Sequence, residues 1–501
     1  MLTRSFMTPE TCKDLLAYTP MLHARMFTET ATFRNHHFQP TRSGLNSMPL
    51  QDQIEHKDQY LDGNPSIDRP LFVQFCANSP EEYLQAAEYV QPFCDAVDLN
   101  LGCPQGIARK GQYGAFLQED WDLIYRLINE LHQKLDVPVT AKIRILETKD
   151  KTLEYAKVVL SAGASIITVH GRRREQKGHN TGLADWSVLR YLRDHLPAET
   201  VIFANGNILR HEDIGRCLKE TGADGVMSAE GNLYDPTIFA KPPAVGQEGR
   251  EYWRGRDGRG GYRMDAVFRR YMDILYQYVL ETPPPERKPL FLPSDPTDPI
   301  VESGAEGRKD PCDGERPAKQ RKRDKNAKRC TSPNLVSMQP HLFHLLRPLV
   351  SKHTNVRDAL ARCRAGDIAA FENVLGMVER VTKNGLMDYD FDPTKYEEAY
   401  DTSLQAAEKA DEAGKDESSL AMVKACKRPW WVCQPYVRPL PKEALEKGSM
   451  TLSTKNMKKL EENTTLTDHP PQQNDESLRE KIDRADGVPV AEMPKESMVC
   501  G

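Results

Sequence analysis

The feature that most constrains the fold is an alternation of short β-rich apolar runs with amphipathic helical stretches between residues 15 and 240. Strands that alternate with helices form βαβ units, and these build a parallel sheet. Nearly every run ends in a glycine or polar cluster, such as LNLGCPQ, TVHGR, ANGN and SAEGN. The seven runs cover residues 16–19, 71–75, 96–99, 137–145, 166–169, 201–204 and 225–228.

Polar residues at the carboxyl ends of most strands are typical of a TIM-type (β/α)8 barrel, whose active site lies in those loops. A doubly wound open sheet would also alternate, but no G-x-G-x-x-G follows an early strand, and the polar residues are not confined to one switch point. A closed barrel needs eight strands, whereas the sequence shows seven. The first strand should precede Leu15, so it is either absent or replaced by an atypical N-terminus at residues 1–14.

Length and composition predict several further regions around this barrel. The chain has 501 residues, which is enough for a barrel with extensions. Helical periodicity returns after the barrel, but it is interrupted by Pro-rich and charged segments that are unsuited to a packed core. We predict a barrel at 15–240, a linker at 241–262, a helical tRNA-binding domain at 263–281 and 336–400, a disordered basic insert at 282–335, and a mostly disordered tail at 401–501.

Charge and cysteine content exclude several classes of protein. The net charge is only −5, so any nucleic-acid binding must come from local basic patches. The 11 cysteines are scattered without a C-x-x-C pair, which argues against a disulfide scaffold and the usual structural zinc site, and we predict no metal. The sequence contains neither a long apolar span nor an apolar signal core. We therefore expect a monomer in a reducing compartment, either the cytoplasm or the nucleus.

Cys103 is the first candidate for chemistry. It follows the run at 96–99 within the string NLGCP, on a loop bent by Gly102 and Pro104. That position is the catalytic rim of a barrel. A thiol with a free pKa of ~8.5 can serve as a nucleophile or a proton donor. The alternative is a buried cysteine that acts as a small apolar residue.

Three further polar residues lie within or directly after predicted strands. Lys142 lies inside a buried run, which is costly unless it faces a charge, a cofactor anion or an electron-rich ring. An ion pair with a barrel carboxylate would also explain it. His170 can hydrogen-bond a polar ring edge or can be purely structural. Gln74 is a buried amide that needs a partner.

The last two runs end in Asn205-Gly206-Asn207 and Ala229-Glu230-Gly231. In barrels, the loops after these strands commonly bind phosphate, and small residues permit the close approach of the backbone. Neither string is specific alone. Their joint placement with Gln74, Cys103, Lys142 and His170 predicts one site at the barrel mouth.

Residues 15 to about 240 resemble the tRNA-dihydrouridine synthases, in particular the eukaryotic subgroup that acts on D-loop positions sixteen and seventeen. The resemblance is specific because the matching strings are long, ordered and numerous. They are YTPMLHARMF, PLFVQFCAN, DLNLGCPQGIARKGQYGAFL, VPVTAKIRI, TVHGRRREQKG, FANGNI and GVMSAEGNLYDP.

The resemblance implies an FMN-binding barrel followed by a helical domain that holds tRNA. It implies that hydride passes from reduced flavin to C6 of uracil, that Cys103 protonates C5, and that NADPH re-reduces the flavin. The family's first strand carries a Pro-Met motif that contacts FMN. It has no counterpart here, because Pro20-Met21 matches the second strand. The implied FMN ligands are Gln74, Lys142, His170, Asn205, Gly206, Asn207, Ala229 and Glu230, with Asn100 near flavin and uracil.

The base must leave its stack to enter the barrel mouth, and the tRNA backbone then needs cations. Any single cation can equally be a solvated surface charge. A basic run at 319–329 is either a nuclear-import or RNA-tethering element, or merely solubilising. Trp430-Trp431 can stack on RNA or dock on the barrel, and docking is favoured. The candidate tRNA contacts are Arg109, Lys110, Arg172, Arg173, Arg174 and Lys177.

Two alternative functions remain open at this stage. A flavin barrel oxidoreductase that acts on free pyrimidines would share the fold, although the helical extension and basic loops argue against it. A non-catalytic tRNA-binding protein or chaperone is plausible because the first strand is missing.

Overall fold

The computed structural model describes residues 1–49, 59–178, 181–295, 330–396 and 426–438. Eight strands form one parallel sheet in the order β1-β3-β4-β5-β6-β7-β8, with β2 also paired to β3 at the edge that β1 occupies. The strands are β1 (Ala17–Tyr18), β2 (Leu22–His23), β3 (Leu71–Cys76), β4 (Ala96–Leu101), β5 (Val139–Arg144), β6 (Ile166–His170), β7 (Val201–Asn205) and β8 (Gly225–Met227).

Helices cover the outer face of the sheet, and more helices follow it. Those belonging to the barrel region are α1 (Pro9–Cys12), α2 (Ala24–Glu29), α3 (Ala31–His37), α4 (Pro80–Val90), α5 (Gly106–Gly111), α6 (Trp121–Lys134), α7 (Lys149–Ser161), α8 (Trp186–His195), α9 (His211–Thr221) and α10 (Glu230–Tyr234). Those that follow are α11 (Met264–Ile274), α12 (Pro333–Val336), α13 (Met338–Leu345), α14 (Arg347–Lys352), α15 (Thr354–Arg362) and α16 (Ile368–Phe391).

The two faces of the sheet differ in polarity. Alternate residues of the central strands, such as Val97, Leu99 and Leu101, join the apolar core beneath the helices. The residues between them face inward and are polar, because side chains alternate along a strand. Asp98 on β4 contacts Gln74 of β3 and Thr140 of β5 on that inner face. The interior of the sheet is therefore a polar cavity wall rather than a second apolar core.

The sheet is curled, and the predicted fold class is confirmed. Tyr18 on the β1 edge comes close enough to Thr140 and Thr168 for their side chains to influence the pKa of its phenol, although β5 and β6 are not neighbours of β1 in the sheet. Within the described residues no pairing joins β8 to β1, so the barrel lacks one strand position. Residues 1–14 form a short 3₁₀ helix at Arg4–Phe6 and α1 rather than a strand.

The segment predicted as a linker, 241–262, contains structure that sequence reasoning missed. β9 (Tyr252–Arg254) and β10 (Gly260–Tyr262) form an antiparallel hairpin. Beyond it, α11 and the helices from α13 to α16 share a second apolar core, which includes Phe268, Leu346 and Phe371. No helix in the described part of the chain is long and apolar enough to cross a membrane.

Trp431 is fully buried, but the prediction that the tryptophan pair docks on the barrel is wrong about the surface. The surface that receives it differs from the expected one. Trp431 packs against Trp253 of the hairpin and against Tyr389 of α16 rather than against the barrel. The basic run at 319–329, and the tail apart from residues 426–438, lie outside the described residues.

Candidate active site

Cys103 lies two residues beyond β4, on a loop held by the strand itself. β4 continues to Leu101, two residues further than the apolar run predicted, so Asn100 belongs to the strand. The Asn100 Oδ1 atom accepts hydrogen bonds from the backbone N–H groups of Gly102 and Cys103, at 3.0 and 2.9 Å. This capped turn fixes the direction of the loop. Cys103 is 2% exposed.

A small cluster of buried side chains surrounds the Cys103 thiol. Cys76 at the end of β3 and Tyr113 belong to it, and Met21 packs against it. Burial, together with the neighbouring Cys103, raises the pKa of the Cys76 thiol to about 12. Gly114 closes the turn with a left-handed φ of +65°, where a Cβ atom would lie 2.8 Å from the Cys103 carbonyl oxygen. The cysteine therefore lies in a confined pocket at the barrel mouth.

A chain of hydrogen bonds connects the floor of the cavity to this loop. Asp98 accepts from Thr140 at 2.7 Å and from the amide of Gln74 at 2.8 Å. The Gln74 Oε1 atom accepts from Asn100 Nδ2 at 2.7 Å. Burial raises the pKa of Asp98 to about 6, against the opposing hydrogen bonds from Thr140 and Gln74. Sequence reasoning missed Asp98, although an acidic residue inside an apolar run is a detectable signal.

Two strands along the sheet from β4, His170 at the end of β6 contacts Arg172. The Arg172 guanidinium lies 3.0 Å from His170 Nε2 and donates to Asn207 Oδ1 at 2.9 Å. Burial, followed by the charges of Lys142, Arg144 and Arg172, holds the pKa of His170 well below its usual range. The imidazole is therefore neutral at neutral pH.

Two predicted residues take on different tasks in this geometry. Arg172 was grouped with the tRNA contacts, but its guanidinium is directed at His170, Asn207 and the Gly182 carbonyl. The Asn207 amide also exchanges hydrogen bonds with Ala184, at 3.0 Å in both directions. Asn207 thus ties together the loops after β6 and β7.

The inner face carries polar groups suited to hold a cofactor. Among the described residues, His170 Nδ1 and Asn205 Oδ1 are buried polar atoms without a hydrogen-bond partner. Such atoms call for an explanation, and a bound polar ligand supplies one. Lys142 is the one β5 residue that is not fully buried. A cation beside buried donors and acceptors suits a polar ligand.

The end of β8 contains a contact that no local sequence signal predicts. Glu230 follows Ala229 and begins α10. Its Oε1 atom accepts from Nε and Nη2 of Arg438, at 3.1 and 2.7 Å. Gly206 at the neighbouring loop has a φ of +109°, and a Cβ atom there would lie 2.6 Å from the Ala184 side chain. The loop after β7 is thus closely packed against the loop after β6.

Three of the predicted tRNA contacts share one cleft beside the mouth. Arg109, Arg174 and Lys177 line a cavity of about 560 Å³ together with Phe116, Glu119 and Glu175. The Arg174 guanidinium lies 5.2 Å from the centre of the Phe116 ring, and Lys177 donates to the Pro104 carbonyl at 2.9 Å. Lys110 and Arg173 are exposed outside this lining set. The cleft therefore combines three cations and an aromatic ring with two carboxylates, and it adjoins the Cys103 loop.

Comparisons with known proteins agree with this architecture. The model of the family described as "Dihydrouridine synthase (Dus)" matches residues 3–256. The tRNA-dihydrouridine(16/17) synthase [NAD(P)(+)] of Schizosaccharomyces pombe is 39% identical over 430 residues, covering 85% of this chain and 82% of the relative. The Saccharomyces cerevisiae protein of the same name is 41% identical over 429 residues, covering 85% and 78%.

Among solved structures, a dihydroorotate dehydrogenase from Eimeria tenella in complex with ferulenol has a TM-score of 0.30 at 18% identity. It covers 42% of this chain and 66% of its own. The family match spans the whole curled sheet and the Cys103 loop. The chain belongs to the dihydrouridine synthase family.

Proposed function

We propose that the protein reduces uridine to 5,6-dihydrouridine in the D-loop of tRNA, at positions sixteen and seventeen. Family membership and the names of the two yeast relatives support the reaction and the positions. The observation that carries the proposal is the Cys103 loop. It presents a buried thiol at the carboxyl end of β4, beside an inner face of polar side chains.

FMN is the cofactor that this site fits, and when bound it supplies the hydride for C6 of uracil, with NADPH as the source of reducing equivalents. Lys142, His170 and Asn205 would hold the polar edge of its ring. Gln74 is oriented for this task because Asp98 and Asn100 fix both ends of its amide. Asn207 and Arg172 position the loops around it. Glu230 lies at the start of α10, where we expect the phosphate of FMN.

Cys103 provides the acid of the reaction. Negative charge that develops on C5 of the ring must be quenched by a proton, and a positioned thiol can donate it. Asn100 holds the backbone of residue 103 and so sets where that proton is delivered. The confined cluster of Cys76, Tyr113 and Met21 excludes water from the thiol.

The neighbouring cleft suits the extruded nucleotide and its flanking phosphates. Arg109 and Lys177 supply cations for the backbone. Arg174 is paired with Glu119 and lies over the Phe116 ring, so it shapes the wall of the cleft. Lys110 and Arg173 extend the positive rim. The helical region after residue 263 would hold the body of the tRNA. A protein that acts on free pyrimidines has no need of this cleft.

The test is mass mapping of dihydrouridine in tRNA from cells that lack the protein, rescued with wild type or with Cys103→Ala. Wild type should restore the modification at positions sixteen and seventeen, and the variant should not. Free uridine offered in place of tRNA should not be reduced. A colourless wild-type protein that still binds tRNA would instead identify a non-catalytic RNA-binding protein.

A further inference from the structure

The C-terminal segment at residues 426–438 is anchored between the hairpin and the helical region. Trp431 is fully buried. Its carbonyl accepts a hydrogen bond from the backbone N–H of Met264, at the start of α11. Cys433 donates its backbone N–H to Tyr262 of β10 at 2.9 Å. The course of the segment is therefore set by buried and hydrogen-bonded residues before it reaches the barrel.

The far end of this segment lies against the loop after β8. The Tyr436 ring packs 5.7 Å from the Tyr234 ring, centre to centre. The Arg347 guanidinium lies over Tyr436, 3.7 Å from the ring centre. Arg438, two residues after Tyr436, donates two hydrogen bonds to Glu230. A residue distant in sequence thus enters the loop where barrels bind phosphate.

Positive charge is concentrated at this point. Arg438 and Arg347 both act on Tyr234, whose pKa burial raises while the two arginines oppose the rise. Burial first, and then Arg144, lowers the pKa of Arg172 to about 10, and Arg438 adds to this effect. Glu230 is the carboxylate that acts on both groups. One monoanionic side chain balances only part of this charge, so the loop favours an additional anion.

Arg438 has donors available for such an anion. A guanidinium has five N–H donors, and the two hydrogen bonds to Glu230 both end on a single carboxylate oxygen. This arrangement fixes the plane of the guanidinium while its other edge faces away from the carboxylate. Arginine in that geometry suits bidentate recognition of phosphate.

We propose that Arg438 binds the phosphate of FMN, so that the C-terminal segment completes the cofactor site, with Glu230 positioning Arg438. The inference rests on the proposed function in that it takes FMN as the cofactor. It assigns a role to a side chain about 200 residues beyond the barrel, and it makes flavin retention depend on the docking of residues 426–438. The phosphate rather than the ring is the group recognised.

The test compares the affinities of the apoprotein for FMN and for riboflavin, which lacks the phosphate, by quenching of flavin fluorescence. Arg438→Gln should weaken FMN binding by about 5- to 20-fold, the range for loss of one charged hydrogen-bonding group. Riboflavin binding should be unchanged. Lys427→Gln, which removes an exposed charge from the same segment, should leave the preference for FMN as in wild type.

Two further variants keep the test decisive if Arg438→Gln folds poorly. Arg438→Lys retains the charge but not the planar pair of donors that binds two phosphate oxygens at once, so the preference for FMN should fall by a smaller factor. Glu230→Gln keeps a side-chain oxygen that can accept from Arg438 but removes the negative charge beside the phosphate, so the preference should hold or increase. Thermal melting of each apoprotein verifies folding. A fall with Glu230→Gln as large as with Arg438→Gln would overturn the assignment.

Other outcomes separate the inference from the proposed function. Equal losses for FMN and riboflavin would reduce Arg438 to a structural tether, and no loss at all would exclude it from the site. If Arg438→Gln weakens tRNA binding while the FMN preference stays unchanged, the phosphate belongs to RNA and the inference is wrong. Wild-type apoprotein that binds neither flavin would overturn the flavin-dependent function itself.

Discussion

The central strands and the open seam between β8 and β1 are stabilised in different ways. Between β4 and β5 and between β5 and β6, the register extends over five residue pairs each, whereas β1 has only two pairs with β3. At the seam, side chains replace backbone pairing. Arg4 donates to the carbonyl oxygens of Leu15 and Pro70 at 3.0 and 2.8 Å. Thr3 bonds Asn232 at 3.1 Å.

The groups proposed for the reaction and the contacts that hold the open edge therefore lie in different parts of the sheet. The polar chain of Asp98, Gln74 and Asn100 and the Cys103 loop all belong to the well-paired strands. The seam depends instead on arginines that satisfy carbonyl groups, as Arg270 also does at Ser5. Buried carbonyls need donors, and a guanidinium can serve several at once. Damage to the central strands should therefore affect the reaction, and damage at the seam should affect stability.

The largest expected effect is the loss of activity on substitution of Cys103, at the carboxyl end of β4. Cys103→Ala should lower the rate of dihydrouridine formation by about 10²- to 10⁴-fold, because a general acid is lost. Cys94→Ala is the matched control, since Cys94 is also buried and lies just before β4. Single-turnover assays with flavin-loaded protein measure both. Equal activity in the two variants would remove Cys103 from the reaction.

At the seam, Arg4→Met should lower the free energy of unfolding by about 1–3 kcal/mol. The Leu15 carbonyl loses the Arg4 donor, the Pro70 carbonyl keeps only the backbone N–H of Ala17, and Asp68 loses its ion pair. The turnover rate of the folded protein should change little. Arg25→Met is the control: Arg25 forms an exposed ion pair with Glu29, which should contribute less than about 1 kcal/mol. Urea unfolding measures both variants. Similar losses would mean that Arg4 does not close the seam.

The role of Asp98 in the central strands can be tested through the pH dependence of the free energy of unfolding. Because the folded protein holds the Asp98 proton more tightly than the unfolded chain, its pKa rises from 3.8 to about 6 on folding. Its contribution to stability is greatest below the unfolded pKa and is lost as pH rises from about 4 to about 6. Asp98→Asn should remove up to about 3 kcal/mol of this pH dependence.

Unfolding free energies of wild type and Asp98→Asn, measured between pH 4 and 7, provide that test. Asp62, whose pKa burial also raises to about 6, contributes equally to both proteins and cancels in the difference. Parallel pH profiles for the two proteins would contradict the assignment.

The smallest effect is expected at the rim cleft. Arg109→Gln should weaken tRNA binding a few-fold and should lower the dependence of log affinity on log salt by about 0.7–0.9, as expected for one phosphate contact. Lys157→Gln is the control, because Lys157 lines a separate cleft with Ala164 and Thr200, which precede β6 and β7. Filter binding across salt concentrations distinguishes them. The same slope for both variants would place the RNA elsewhere.

Much of the barrel was predictable because its signals are local. Apolar runs such as 71–75 predicted β3 to within one residue, and the loop that carries Cys103 was placed correctly after β4. The hairpin β9–β10 was missed because its glycine- and arginine-rich turn resembles a linker. Asp98 was missed as a partner of Gln74 because neither residue alone indicates which of its neighbours lies across the sheet.

The sequence by itself determined the alternation of strands and helices, the position of the thiol and the family, since each depends on residues close together along the chain. Only the tertiary structure decided which side chains share the inner face, that Arg172 supports His170, and that Arg438 meets Glu230. These pairings bring distant segments together, and they form only when burial of the apolar faces has fixed the positions of the strands and of Trp431.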